Sequence, residues 1–283
     1  MTSSSDIPAM RDPWMVAAFE GWNDAADAAS GTVDHLIEEW DAELLIELDP
    51  EEYYDFQEHR PQIYTEDGSD PVIRWPAPQI FHARPRGSER DVLLLRAPEP
   101  NFRWKAFCST VLGLAKIAGV TELVTLGALL ADSPHTRPVP VSGSTSDPDL
   151  MDRMSLMPST YSGPIGITGV LSQMAGDEGI ATASLWAAVP HYLAEPPCPK
   201  ATLALLGALE DAVGMPLPTG VLVEMTEAWQ RGAEDLMSRD EDIREYVEAL
   251  ESERDTSELP EASGDAIARE FERYLRRRNV DPE

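Results

Sequence analysis

The run Trp14-Met-Val-Ala-Ala-Phe19 is apolar at every position and stops at Glu20-Gly21. An apolar run bounded by a turn signal suits a strand buried on both faces. That reading constrains the chain more than any other feature, because such a strand needs a covering layer on each side. After Gly21-Trp22-Asn23, Asp24 is placed to cap a helix running to about Trp40, with Ala28, Val33, Leu36, Ile37 and Trp40 on its inner face. A second strand is expected at Glu43–Leu48, and strand–helix–strand in this order argues for a parallel crossover.

The alternation continues. Gln57–Tyr64, Val72–Trp75, Gln79–Ala83 and Val92–Arg96 read as short strands punctuated by proline or glycine. A helix is expected from Asn101 to Ala118, ended by Gly119 as a left-handed cap. Glu122–Leu130 and Val139–Ser142 read as strands, and Gly163–Ala175 as a glycine-rich loop that becomes a helix. Ile180–Val189 is a further strand, stopped by Pro190, and Thr202–Val213 a helix closed by Gly214. Strands and helices alternating on this scale predict a three-layer α/β/α sandwich with a mostly parallel or mixed sheet.

Composition changes after Pro218. Gly220 to about Glu253 reads as one long helix, with Leu222, Trp229, Leu236, Ile243 and Leu250 at one heptad position and Met225, Gly232, Arg239 and Tyr246 at the other. The second position is imperfect, so a coiled-coil seam and an ordinary amphipathic helix laid on the core both stay open. A last helix, capped by Ser263 and carrying Ile267, Phe271, Tyr274 and Leu275, would complete a C-terminal helical hairpin. The expected organisation is a disordered leader over residues 1–13, an α/β/α core over 14–218 and a helical extension over 219–283.

Charge limits the partners. The net charge is −29, and a field of that sign repels phosphate backbones and anionic lipid, which argues against nucleic acid and membrane surfaces. The first residues lack the apolar stretch of a signal peptide, and the longest apolar run, around Leu123 to Ala131, is too short to span a bilayer. Cys108 and Cys198 are far apart and in no metal-type cluster, so two free thiols in a reducing compartment are expected. The expected location is the cytoplasm.

The motifs give catalysis no specific support. Gly163-Pro-Ile-Gly166-Ile-Thr-Gly169 has the glycines of a phosphate-binding loop, but proline lies inside it and no Lys-Ser/Thr ending follows. No Gly-x-Ser-x-Gly occurs, and the histidines are scattered without metal spacing; neither a cofactor nor a metal is expected. The carboxyl edge of the sheet, where ligands of α/β folds bind, supplies the candidate ligand residues. Glu20, Asn23 and Asp24 leave the first strand there, and Asp132, Ser133, His135 and Arg137 follow the Glu122–Leu130 strand. Acid at a helix start opposes anion binding, so a phosphate would need Arg137 nearby. For a protein partner the candidates are Leu222, Trp229, Leu236 and Ile243 on the long helix.

Several segments together resemble the bacterial branch of the PAC2, or proteasome assembly chaperone, family. They are Phe19-Glu-Gly-Trp-Asn-Asp-Ala-Ala-Asp-Ala-Ala29, Pro98-Glu-Pro-Asn-Phe-Arg-Trp-Lys-Ala-Phe107 and Gly119-Val-Thr-Glu-Leu-Val-Thr-Leu-Gly-Ala128. Tyr161-Ser-Gly-Pro-Ile-Gly-Ile-Thr-Gly169, Ala188-Val-Pro-His-Tyr192 and Pro199-Lys-Ala-Thr202 complete the set, so the likeness spans residues 14–253. The resemblance implies an α/β/α fold related to the nucleoside phosphorylase/hydrolase-like group and a chaperone role in assembling the 20S proteasome. Some relatives end in a hydrophobic-Tyr-x tail, whereas this sequence ends Asn279-Val-Asp-Pro-Glu283. The resulting expectation is a non-catalytic, self-associating assembly factor that binds proteins, proteasome subunits among them. The alternative is a nucleoside- or nucleotide-type binding protein or enzyme using the carboxyl-edge loops.

Overall fold

The structure, a computed structural model, describes residues 7–65 and 70–258. Its centre is the strand β1 (Trp14–Glu20). Trp14, Val16 and Ala18 enter one core cluster, and Met15, Ala17 and Phe19 the other. This is the two-residue period of a strand with a layer on each face. All six are essentially inaccessible, so truncating Phe19 to alanine would cost about 3–5 kcal/mol.

The remaining strands of the sheet are β2 (Glu43–Glu47), β5 (Gln79–Ala83), β6 (Val92–Pro98), β7 (Glu122–Ala131), β8 (Val141–Thr145) and β9 (Ala181–Pro190). Their order is β2-β5-β6-β1-β7-β9-β8. β6, β1, β7 and β9 run parallel, while β5 and β8 are antiparallel to their neighbours, so the sheet is mixed. β2 runs in the direction of β1 but pairs with β5 at the sheet margin, with β5 and β6 between it and β1. β3 (Gln62–Tyr64) and β4 (Val72–Arg74) form a separate two-stranded ribbon. Only the last three residues of the expected Gln57–Tyr64 strand are extended.

α1 (Ala28–Glu39) and α5 (Pro199–Val213) cover one face of the sheet. α2 (Trp104–Ala118) and α4 (Ile167–Asp177) cover the other. Gly119 and Gly214 close α2 and α5 at φ +83° and +69°, a region that favours glycine. A short α3 (Pro148–Met154) had no counterpart in the sequence reading; the Asp147 carboxylate accepts the backbone N–H of Asp149 and Leu150 to cap it.

Two expectations are corrected. The long helix is broken: α6 (Leu222–Arg239) ends where Asp240 turns extended, at φ −126°, and α7 (Glu241–Glu258) begins. The Asp240 carboxylate accepts the N–H of Asp242 and Ile243, so a helix cap sits in the middle of the heptad pattern. The helical hairpin is therefore α6–α7; the last helix expected from Ser263 lies outside the described residues. The leader is ordered from Ile7 onward, since Ile7 and Met10 pack on the core and Arg11 binds Asp91 at 2.7 Å. Among the described residues no helix is long and apolar enough to cross a membrane.

Candidate functional site

The parallel strands deliver their following loops to one end of the sheet, the carboxyl end. There β1 turns at Gly21, at φ +97°, and the Asn23 carbonyl accepts the Ala128 N–H at 2.8 Å, tying the loop to β7. Asn23 is fully buried. Its amide Nδ2 donates to Glu99 Oε1 at 2.8 Å, and its Oδ1 accepts from the Thr168 hydroxyl at 3.1 Å. Glu99 Oε1 also accepts the Ile167 N–H, the first of α4, at 2.9 Å. A Cβ at Gly166 would collide with the Asn23 side chain, which gives that glycine a packing reason.

Asp24 binds the N-terminus of the neighbouring helix, but α1 begins only at Ala28, behind a 3-10 turn over Ala25–Asp27, and not directly after Asp24 as the sequence indicated. Its Oδ1 accepts the Ala29 N–H at 2.6 Å, and both oxygens lie within 3.3 Å of the Ser30 N–H. Burial pushes its carboxyl up to about 6, against the pull of these bonds. The N-termini of α1 and α4, the natural anion sites at this end, are thus each occupied by a carboxylate of the chain itself.

Glu20 takes another direction. Its carboxylate pairs with Arg96 at 2.7 Å, and Arg96 also reaches Asp34 at 2.5 Å. These three side chains line a concavity of about 610 Å3 with His59, Pro197 and Met225.

The second expected loop goes elsewhere. Asp132 accepts from the Tyr246 hydroxyl of α7 at 3.0 Å and lies 3.3 Å from His191. Arg137 binds Asp255 at 2.8 and 3.0 Å and Glu251 at 3.2 Å, both on α7. His135 is buried under the hairpin. The Tyr192 hydroxyl accepts its backbone N–H and faces its Nδ1, both at 2.8 Å, and Lys200 donates to its carbonyl. Burial, and then the Lys200 charge, push the His135 ring below its ordinary value. Ser133 and His135 do not bond to each other, so no serine–histidine pair forms. The loop does not line the Glu20 concavity. The two loops expected to share a pocket are therefore apart, and α7 is what the second one holds.

The expected partner-binding seam is also divided. Leu222 is part of the core and Trp229 packs against it; Leu236 is exposed, and Ile243 lies beyond the break on α7. One set of exposed apolar side chains lies at the carboxyl end: Trp22 after β1, Phe102 after β6, Leu129 and Leu130 at the end of β7, and Ile165 before α4. Trp22 is 71% exposed. Both cysteine thiols are buried, and burial pushes Cys108 up to about 12 and raises Cys198 as well. Among the described residues no group of three or more His, Cys, Asp or Glu side chains is placed to hold a metal ion.

Comparison with known proteins decides the family. The model of the PAC2 family matches residues 18–237, most of the chain. The chain belongs to the PAC2 family. A PAC2 family protein from Streptomyces avermitilis is 51% identical over 83% of this chain and all of its own, with a TM-score of 0.78. The Mycobacterium tuberculosis proteasome-assembly chaperone homologue is 46% identical over 82% of this PAC2 chain and 99% of its own, at 0.75. The archaeal proteasome activator PbaB of Pyrococcus furiosus shares the fold at 17% identity and a TM-score of 0.64, over 81% of this chain and 95% of its own. A search of curated proteins found no match. Trp22, Glu99 and Phe102 fall in the segments that carry the family likeness; the exposure of the two aromatics and the clamp made by Glu99 emerge from the fold.

Proposed function

We propose that this PAC2 protein is a cytoplasmic, non-catalytic assembly factor that binds other proteins, proteasome subunits among them, through the carboxyl end of its sheet. One observation carries the reading. At the end where α/β enzymes place ligands, the buried Asn23, Asp24 and Thr168 and the half-buried Glu99 are bonded to one another or to helix N-termini, while Trp22, Phe102, Leu130 and Ile165 face solvent. Satisfied polar groups leave little to orient a small substrate, and exposed aromatic and aliphatic side chains are what a protein interface buries. The mycobacterial relative, a proteasome-assembly chaperone homologue, and the archaeal one, a proteasome activator, point to the same partner class.

The test is affinity purification of the tagged protein from its own cells with mass spectrometry of what co-elutes. Enrichment of proteasome α or β subunits is expected, and their absence would overturn the partner assignment. The second reading, a nucleoside- or nucleotide-type ligand, rests on the concavity around Arg96. A rise in melting temperature with a nucleoside or nucleotide, lost in Arg96→Ala, would favour it.

A further inference from the structure

α7 is attached to the body differently from α6. Leu222 of α6 is part of the core and Trp229 packs against it. Val247 and Leu250 of α7 are buried, yet neither belongs to either core cluster. Side chains of the 132–137 loop and of the turn after β9 (His191–Leu193) grip the helix instead. Tyr246 donates to Asp132 at 3.0 Å and sets its ring against His191 and Tyr192, with centroids 5.3 and 5.9 Å away. Glu251 accepts from Thr136 and Arg137, and Arg137 reaches Asp255 at 2.8 Å. Asp240, with extended backbone, is the joint between α6 and α7.

His135 lies beneath this contact and is 1% exposed. The Tyr192 hydroxyl accepts its backbone N–H, which leaves the hydroxyl proton to point at Nδ1, 2.8 Å away. The neutral ring then carries its own proton on Nε2, which has no hydrogen-bond partner among the described residues. A second proton must arrive at Nδ1, and there it removes the acceptor of the Tyr192 hydroxyl.

The surrounding charges oppose that proton as well. Lys200 of α5 brings its ammonium to the His135 carbonyl, and Arg254 of α7 adds positive charge near Lys200. Glu234 of α6 is exposed, so water screens it. Glu251 of α7 is paired with Arg137 at 3.2 Å, and the exposed Asp132 is taken up by Tyr246 and His191. A buried imidazolium here has a cation beside it and its anions screened or engaged. The folded value of the ring lies below its ordinary one, through burial first and Lys200 second. Its contribution to the closed arrangement is therefore complete above the unfolded value, about 6.5, and is lost as pH falls through the folded value.

We propose that α7 is an acid-released latch: protonation of His135 frees it from the 132–137 loop and bares Val247 and Leu250, while α6 and the sheet stay in place. The device does not depend on the proposed function, and its test uses the chain alone.

Hydrogen–deuterium exchange of the full chain at pH 7.5 and 5.5, corrected for the intrinsic effect of pH on exchange, tests it. Residues 241–255 are expected to exchange several-fold faster at pH 5.5. The ceiling is about tenfold, which one proton can supply one unit below the ordinary histidine value. Residues 222–239 and the strands β1 and β7 should not change. His135→Gln, which cannot take up the proton, should abolish the response. Lys200→Met, which removes the neighbouring like charge, should reduce it. His191→Asn should keep it, because acid only strengthens the pair that His191 makes with Asp132. If His135→Gln folds poorly by circular dichroism, the wild type and Lys200→Met decide. Equal exchange at the two pH values, a response that spreads to α6, one that persists in His135→Gln, or one unchanged in Lys200→Met would each overturn the latch.

Discussion

The two ends of the sheet are finished in opposite ways. At the amino end Asp91, its side chain fully buried, receives Arg11 at 2.7 Å, His82 at 3.2 Å and Arg84 at 3.3 Å. Beside it Arg90 bridges Asp12 and Glu122, and Arg153 reaches Glu122 at 2.9 Å. Charge closes this end, and backbone bonds from Trp14 to Asp91 and from Thr121 to Pro13 finish the strand starts. At the carboxyl end the polar groups turn inward to cap helices, and aromatic side chains turn outward. In a chain this acidic, most surface resists association. The contrast teaches that one end is built for closure and the other for contact.

A first pair of substitutions breaks the contact end. Trp22→Asp with Phe102→Asp should weaken binding of purified proteasome α subunits at least about 30-fold, the loss of a hot spot of about 2 kcal/mol, with melting unchanged. Arg153→Glu at the closed end should leave that affinity as it is, and surface plasmon resonance reads both.

The next effect breaks the closed end. Asp91→Ala should lower unfolding stability in urea by about 2–4 kcal/mol, because it removes a buried charge with three partners. Burial raises the Asp91 carboxyl, but the bonds from Arg11 and His82 outweigh it and hold it below its ordinary value. Its contribution is therefore present above the unfolded-state pKa and lost as pH falls through the lower folded value.

Asp24 should behave with the opposite sign. Its folded value, about 6, lies above the ordinary one. Its contribution is complete below the unfolded pKa, near 3.9, and is lost as pH rises through about 6. Stability measured from pH 4 to 7 should decline by about 2–3 kcal/mol relative to Asp24→Asn, which cannot ionise. A flat difference across that range would contradict the assignment. Asp240→Ala is the smallest: loss of the α7 cap should cost about 1 kcal/mol, seen as reduced helicity or a lower melting temperature.

Much of the fold was legible because its signals are local. β1 announces itself by six apolar residues before Glu20-Gly21, α2 and α5 by their closing glycines, and α1 by Asp24. What was missed depends on partners distant in sequence or on competing local signals. The bond from Asn23 to Glu99 joins residues 76 apart, and no periodicity marks Glu99 as the clamp on α4. The heptad pattern across 222–250 concealed the cap at Asp240, although Asp-Glu-Asp is itself a helix-start signal. The Asp132–Arg137 loop was assigned to the ligand edge because strand order predicts loop position. It does not predict that α7 will fold back and engage Asp132, Thr136 and Arg137.

Hydrogen–deuterium exchange of the chain, alone and with purified proteasome α subunits, tests the central claim most directly. New protection is expected over residues 21–25, 99–103 and 128–131 at the carboxyl end, with 84–91 and 121–123 at the amino end unchanged. Protection at the amino end instead, or no change at either end with subunits in excess, would contradict it.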